Sequence, residues 1–566
     1  MATEARKEVV EFLPGITKRS LAISIPLVLV YAYLSVLVGL YTDKPGTFGT
    51  FILPMVYLVA LNELLARTNP KWRLTPQEWV FMFSLFTFMG MHSYLTMHAA
   101  AHVNPPQYIW SCTPWGDYLA FTIDALRSYW SRAVPAFSIP PEPLRFDVAQ
   151  MIVTGRTVGQ AIPWGPVLQP LFYSLLSAWV AFTFGRPWAE EERLVFPLAV
   201  PSLYLFREAG EVTAANKSRL FDFSVPHTKV FWAMFAVGII SGINPILAEL
   251  LPAFPIAAWW GETNVALPFL AQLWPGIYAA AIFFIPQIAV GLVMPNDALI
   301  TLILAWIVFG VLYQGIAVRL GIIPYRPGME YVWPWEDYPG QWMPFPYRII
   351  GANGVGAAVF LWMIYRYRRR IASVLSTLWK RDIVEQGLSM RLATALMVVG
   401  FFGWYALMVA EGASPVVALL MPIWGILFNI LYARVYAEVF WHVGTGMGHA
   451  WIPTYEFGRL IHGWPRYDQV AWDRPMTDPS WFTIARHFVN MGNWNISFSP
   501  LSAGHQVTLY KLAHDLKMRM TDLLIAIVLG SLIFSFVAMP IEAYFILHTR
   551  GGLQATNAAG ASWWPW

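Results

Sequence analysis

Apolar runs of about twenty residues recur along the chain, divided by shorter polar and basic stretches. A helix rises about 1.5 Å per residue, so roughly 20 apolar residues cross the hydrocarbon layer of a bilayer. On that measure the pattern predicts membrane helices at 20–41, 47–66, 76–99, 166–185, 228–250, 272–292, 296–317, 349–366, 392–410, 416–438 and 521–547. The expected fold is all-α: a polytopic integral membrane bundle of about 11 transmembrane helices. Several runs contain Gly or Pro, which membrane helices tolerate when neighbours satisfy the freed backbone groups. The run after Arg19 is long enough to span, so it reads as an uncleaved first helix and not as a signal peptide.

Lysine and arginine set the expected orientation, because basic residues stay on the cytoplasmic side. They collect in every second inter-run segment: Arg6, Lys7, Lys18 and Arg19; Arg67, Lys71 and Arg73; Arg186, Arg193, Arg207, Lys217, Arg219 and Lys229; and Arg366, Arg368, Arg369, Arg370, Lys380, Arg381 and Arg391. Residues 251–271 and 411–415 contain none, and 42–46 only Lys44. The N-terminus is therefore expected in the cytoplasm, in a multi-pass protein of the cell membrane.

Composition narrows the class. Charged residues make up 12% of the 566-residue chain and hydrophobic ones 57%. Soluble globular chains carry roughly 25% charged residues, so the polar surface is too small for a water-soluble fold of this size. The 29 Trp and 25 Tyr suit interfacial positions. A net charge of +4 gives no argument for nucleic acid as a partner; the expected partner is the lipid bilayer, with a second membrane subunit or a homo-oligomer also open. Cys112 is the single cysteine, which rules out an intrachain disulfide and disfavours a Cys-based metal site.

Two regions are expected. Residues 1–410 form an N-terminal bundle with two aromatic-rich outer loops, 100–165 and 318–348. Residues 411–566 form C-terminal helices with a long inner segment, 439–520, which reads as amphipathic or re-entrant pieces covered by protein or lining a cavity.

The stretch LYARVYAEVFWHVGTGMGH, 431–449, places Arg434, Glu438 and His442 four residues apart. On a helix they fall within an 80° stripe, since a step of four advances 40°. The stripe suits a polar seam facing a cavity, with Glu438 as proton carrier and Arg434 as its partner. It suits equally a helix leaving the bilayer, with Arg434 snorkelling. Gly444, Gly446 and Gly448 mark a break just beyond.

The run PWAEEERLVFPLAVP, 187–201, resembles the oligopeptide transporter superfamily, closest to its uncharacterised prokaryotic branch. Similar agreement comes from LNELLARTNPKWRLTPQEWV (61–80), PFPYRIIGANGVGAAVF (344–360), YARVYAE (432–438) and, more weakly, SPLSAGHQVTLYKLAHDLKMR (499–519). The resemblance implies a secondary transporter with a two-part helical fold, moving peptides or metal chelates with protons. About sixteen spans are implied there, more than the run pattern supplies here. Within the resembling loop, Glu192 and Arg193 are implied to fix how it docks on the bundle; a solvated charged loop is the plainer alternative.

Two other groups carry candidate chemistry. Asn62 and Glu63 lie near the inner end of the second run, where Glu63 is expected to face the bundle and pair with Arg67; an inner vestibule shared with Glu438 is the functional alternative. His98 and His102, with His92 and Met97 nearby, are spaced to share a metal or to offer a haem ligand. A helix end with water-satisfied histidines explains them as well, so no cofactor is expected. No Walker loop, GxSxG, HExxH or strand-linked GxGxxG occurs, so the chain is not expected to be an enzyme. Three functions stay open: a proton-coupled secondary transporter of a small peptide or chelate-like solute, a non-transporting subunit of a larger membrane complex, and a metal or haem membrane enzyme.

Overall fold

The computed structural model describes residues 11–42, 53–90, 164–213, 216–251, 254–255, 264–266, 268–274, 277, 280–282, 288, 291–322, 356–410, 412–439, 458–464, 480, 501–538 and 541. They are mostly helical. In chain order the elements are α1 (Lys18–Thr42), α2 (Leu53–Thr68), α3 (Pro76–Gly90), α4 (Trp164–Arg186), α5 (Ala199–Gly210) and α6 (Pro226–Leu250). Next come β1 (Asn264–Ala266), α7 (Pro268–Leu273), β2 (Ala280–Ile282), α8 (Asn296–Arg319) and α9 (Gly356–Ser376). The series ends with β3 (Val384–Glu385), β4 (Leu388–Ser389), α10 (Met390–Ala410), α11 (Pro415–Glu438), α12 (Ala503–Asp515) and α13 (Met520–Ala538). Among them α8, α10, α11 and α13 are long and apolar enough to cross a membrane.

Most helices coincide with the apolar runs; two runs and one inter-run segment differ. The run 272–292 is not one helix: α7 stops at Leu273, and β2 turns back to pair antiparallel with β1, Val265 opposite Ala281. The cause is in the sequence, because Trp274 precedes Pro275 and Gly276, and a residue before proline is pushed out of the helical region. In the run 349–366 the described residues, from Gly356 on, belong to a helix that continues to Ser376, so the basic stretch Arg366–Arg370 is helical and not a loop. Residues 503–515, within the expected inner segment, form α12, whose residues Ala503–Tyr510 are all buried.

The core is organised around α4, which packs against α10, α12, α11 and α13. Small residues set the distances. A Cβ on Gly400 of α10 would meet the Phe172 carbonyl of α4 at 2.7 Å, and one on Gly504 of α12 would meet the Tyr436 ring of α11 at 2.8 Å. Glycine at these places lets backbone and ring approach closely, the usual means of helix packing in membranes. Trp404 fills the remaining space, edge-on to Tyr173 at 5.8 Å.

One end of the bundle is polar. There, Leu13 N–H donates to Lys517 O (2.8 Å), Arg519 N–H donates to Leu13 O (3.0 Å), and Asp522 accepts from the Gly15 and Ile16 amides. The N-terminal segment is thus clasped by the turn between α12 and α13. At the same end β3 and β4 form a two-residue hairpin whose turn residues, Gln386 and Gly387, both have positive φ. That geometry matches the right-handed strand twist and needs a residue tolerant of φ > 0.

Candidate functional site

Two polar arrangements stand out: an ion-pair layer at the helix ends, and a neutral cluster deep between the helices.

The layer begins where α4 ends. Arg186 meets Glu190 (2.9 Å) and Glu385 (3.4 Å), and Arg370 of α9 grips Glu385 with both nitrogens (2.5 and 2.6 Å). Glu190 also meets His514 near the carboxyl end of α12 (3.2 Å). Glu192 accepts from Arg434 of α11 (2.7 Å) and from the Tyr367 hydroxyl, with Arg366 at 3.3 Å. The Arg434 guanidinium lies over the Trp188 ring, 5.6 Å from its centroid. Burial pushes the Glu192 carboxyl up, but the Tyr367 and Arg434 hydrogen bonds and the two guanidinium charges outweigh it and hold the group below its ordinary value. Glu190 is depressed in the same sense: burial raises it, and Arg186 and His514 more than compensate. In Asp515, burial is outweighed by His514 and Lys511.

The deep cluster forms where α12 begins. Ala503 is the first residue of that helix, and its N–H has no partner within the helix. Asn429, well inside α11, supplies one: its Oδ1 accepts from Ala503 N (2.8 Å) and from Ser177 Oγ (3.0 Å). Gln506 Nε2 donates to Ser174 Oγ (2.9 Å), and Ser531 Oγ of α13 lies 2.7 Å from the same hydroxyl. Asn429, Ser174, Ser177, Gln506 and Ser531 are fully buried. Asn429 Nδ2 and the Tyr173 hydroxyl lie against each other, with no other hydrogen-bond partner among the described residues.

Depth follows from helix length. The carboxyl end of α12 lies in the ion-pair layer, and the helix is 13 residues long, twelve steps from end to end. At about 1.5 Å per residue that is roughly 18 Å. Ser531 is eleven residues along α13, which starts in the same layer, and so reaches a similar height.

A family model described as a family of unknown function (DUF6785) matches residues 11–566. The chain belongs to this family. No curated protein and no solved structure matches it. In this DUF6785 chain the match takes in the clasp at Leu13, the ion-pair layer and the deep cluster alike.

The residues singled out in the sequence of this DUF6785 member fall into three places. Arg434 and Glu438 are joined at 2.8 Å, but Glu438 is the last residue of α11 and its side chain is 50% exposed. Glu192 docks its loop on α11, helped by Phe196 N–H donating to Ala437 O (2.9 Å); Arg193 exposes its side chain and contributes a left-handed backbone, φ 54°. Glu63 is buried and accepts from Arg67 (3.1 Å), Arg73 (2.7 Å) and the Ser218 amide, while Asn62 brackets the α2–α3 turn through Trp72 O and Leu74 N–H. Glu63 and Glu438 therefore serve different partners. His442, His98 and His102 lie outside the described residues. Among the described residues no group of three or more His, Cys, Asp or Glu is placed to hold a metal ion.

Sequence reading passed over Asn429, Ser174, Ser177, Gln506 and Ser531. A signal existed for Asn429: it is the one strongly polar residue in the run MPIWGILFNILYA, and such a residue inside a membrane helix usually marks a site or a contact.

Proposed function

We propose that the protein is a secondary transporter whose solute site is the neutral cluster around the amino end of α12. The observation that carries this reading is a buried helix that begins about 18 Å from the ion-pair layer, capped by Asn429 from another helix. Discontinuous helices whose amino ends meet polar side chains near the bilayer midplane are how many secondary transporters build a site. Irregular backbone at that depth persists only where protein or a cavity covers it. The resemblance to the oligopeptide transporter superfamily supplies the solute class, a small peptide or a metal chelate, and proton coupling. Glu438, half exposed and paired, suits a helix end better than a buried proton carrier.

Topology fits the same reading. The ion-pair layer collects the basic ends of α1, α2, α3, α4, α9, α10 and α11, so it faces the cytoplasm in a cell-membrane protein with its N-terminus inside. Leaving α6 and returning α9 both meet this face, so crossings between them come in even number. With the 272–292 run broken, α8 crosses only together with another segment between 251 and 355, so the described helices supply nine crossings without α8.

Reconstitution into proteoliposomes tests the function. Dipeptides and metal chelates are offered with and without an imposed proton gradient. Uptake above empty liposomes, raised by the gradient and lost on bulky substitution at Ser531, is the expected result. No uptake of any of them by folded protein would end the reading.

A second reading keeps some support from α6. Gly238 and Gly242 have no described neighbour within 4 Å, and Val230, Met234 and Ile240 beside them are exposed. Lipid or a second chain fits that face. A native mass spectrum that shows a partner at fixed stoichiometry would favour a subunit role.

A further inference from the structure

We propose that the exposed face of α9, where Arg368 and Arg369 follow Leu361, Trp362 and Tyr365, binds the headgroup of an anionic phospholipid of the cytoplasmic leaflet. The inference rests on the orientation given above and is independent of the transporter reading.

This face changes character within one helical turn. α9 buries Phe360, Met363, Tyr367 and Val374 and packs on α4, α10 and α11. On the other side, Leu361, Trp362, Tyr365, Arg368 and Arg369 share a stripe about 120° wide. All five are exposed, and the first three by more than half. The Trp362 and Tyr365 rings meet at 5.8 Å, an amphipathic pair of the kind that collects where hydrocarbon gives way to headgroups. Beyond Arg369 the exposed residues of the helix are Ala372 and Ser373, with no large apolar side chain. The hydrocarbon boundary therefore falls between Tyr365 and Arg368. The Arg368 guanidinium is held there: it lies over the Tyr365 ring, 4.4 Å from its centroid, and donates to Tyr365 O (2.7 Å).

Charge is left over at this corner of the ion-pair layer. From 356 to 381 the chain carries six basic residues and no Asp or Glu. Two of the six are neutralised from within: Arg366 lies 3.3 Å from Glu192, and Arg370 grips Glu385. Arg368, Arg369, Lys380 and Arg381 meet no carboxylate among the described residues, whereas Arg186 and Arg434 nearby each meet one. Adjacent guanidinium groups suit a phosphodiester, whose oxygens they can hold with paired N–H donors. An anionic headgroup brings no cation of its own, while a choline headgroup does. The apolar part of the stripe decides the source of the phosphate. A soluble anion uses only the arginines; a lipid uses Leu361, Trp362 and Tyr365 as well. Basic clusters immediately cytoplasmic of a membrane helix are a recurring means of recognising anionic lipids.

The test is native mass spectrometry of the full-length protein in mild detergent, titrated with dioleoylphosphatidylglycerol or with dioleoylphosphatidylcholine. The glycerol lipid is expected to bind about tenfold tighter or more, and Arg368→Gln with Arg369→Gln should bring it down to the choline lipid, at about fivefold for each charge removed. Arg207→Gln with Lys229→Gln takes the same two charges from exposed positions on α5 and α6 and should leave the preference standing. Should the α9 double variant fail to fold, Arg369→Gln alone decides, because that side chain makes no hydrogen bond among the described residues; a loss of about fivefold is expected. Equal binding of the two lipids, an unchanged preference in the α9 variants, or the same loss in both double variants would overturn the site. Displacement of the bound lipid by inorganic phosphate would assign the arginines to a soluble anion, and a dimer that disappears with them would assign the face to a second copy of the chain; either result overturns the proposal.

Discussion

The Arg434 guanidinium lies 2.7 Å from the Glu192 carboxylate, a partner 242 positions away in the chain. It ties the loop after α4 to the end of α11, and both side chains are only 12% exposed. Removing one partner of a buried ion pair leaves the other charge uncompensated, which typically costs about 3–5 kcal/mol. Arg434→Ala should therefore lower the melting temperature of detergent-solubilised protein markedly. Glu438→Gln breaks an exposed i,i+4 pair, worth about 0.3–0.5 kcal/mol, and should shift it little. Equal losses in the two variants would show that burial does not separate the pairs.

Acid should loosen this layer before it affects the apolar core. Glu192, Glu190 and Asp515 have folded-state values below their ordinary ones. A depressed carboxylate adds stability that is fully present above its unfolded value, near 4 for Asp and Glu. That stability is lost as pH falls through the depressed folded value. Thermal melts between pH 7 and pH 3 should show a plateau, then a decline below about pH 4.5. Glu192→Gln should flatten part of the decline; an unchanged slope would remove Glu192 from this role.

Asn429 caps a helix that belongs to a different part of the chain. Losing a cap costs about 0.5–2 kcal/mol. Asn429→Ala should speed amide hydrogen exchange in the first turn of α12, residues 503–506, more than in α10. Uniform exchange across both helices would argue against a local cap.

Gly504 leaves room for the Tyr436 ring, which a Cβ would meet at 2.8 Å. Gly504→Ala should cost about 1–3 kcal/mol through overpacking. Tyr436→Leu in the same chain should recover part of that loss in a thermal melt, since it removes the ring that clashes.

β1 and β2 pair antiparallel, and in the proposed topology they lie on one side of the membrane. In a Cys112→Ala background, single cysteines at Pro255 and Ala281 should react with an impermeant maleimide from the same side. Labelling from opposite sides would restore a crossing between them.

Helix positions were largely legible in the sequence, because a run of apolar residues long enough to span has few other uses. The break at Leu273 was legible too, from Pro275 and Gly276, but apolar content outweighed it. α12 was not. His505, Gln506, Thr508, Lys511 and His514 give it the composition of an extramembrane segment. Its burial depends on what α4, α11 and α13 offer it: Ser174, Ser177, Asn429 and Ser531, polar residues scattered through apolar runs. Composition within one segment carries no record of partners hundreds of residues away. For the same reason Arg434 was visible and Glu192 was expected to dock its loop on the bundle, but nothing in the sequence joined the two.

The clasp between Gly15 and Asp522 has a consequence for how the chain is made. Its two halves are 507 positions apart. At roughly 5–20 residues per second, the ribosome needs about 25–100 s to supply the second after the first. Throughout that time the first strand of the clasp must wait, with its amide groups satisfied by water or by a helper protein. Completion of the bundle is thus tied to the synthesis of α13, and a ribosome that stalls before it leaves every earlier helix in a structure that cannot close.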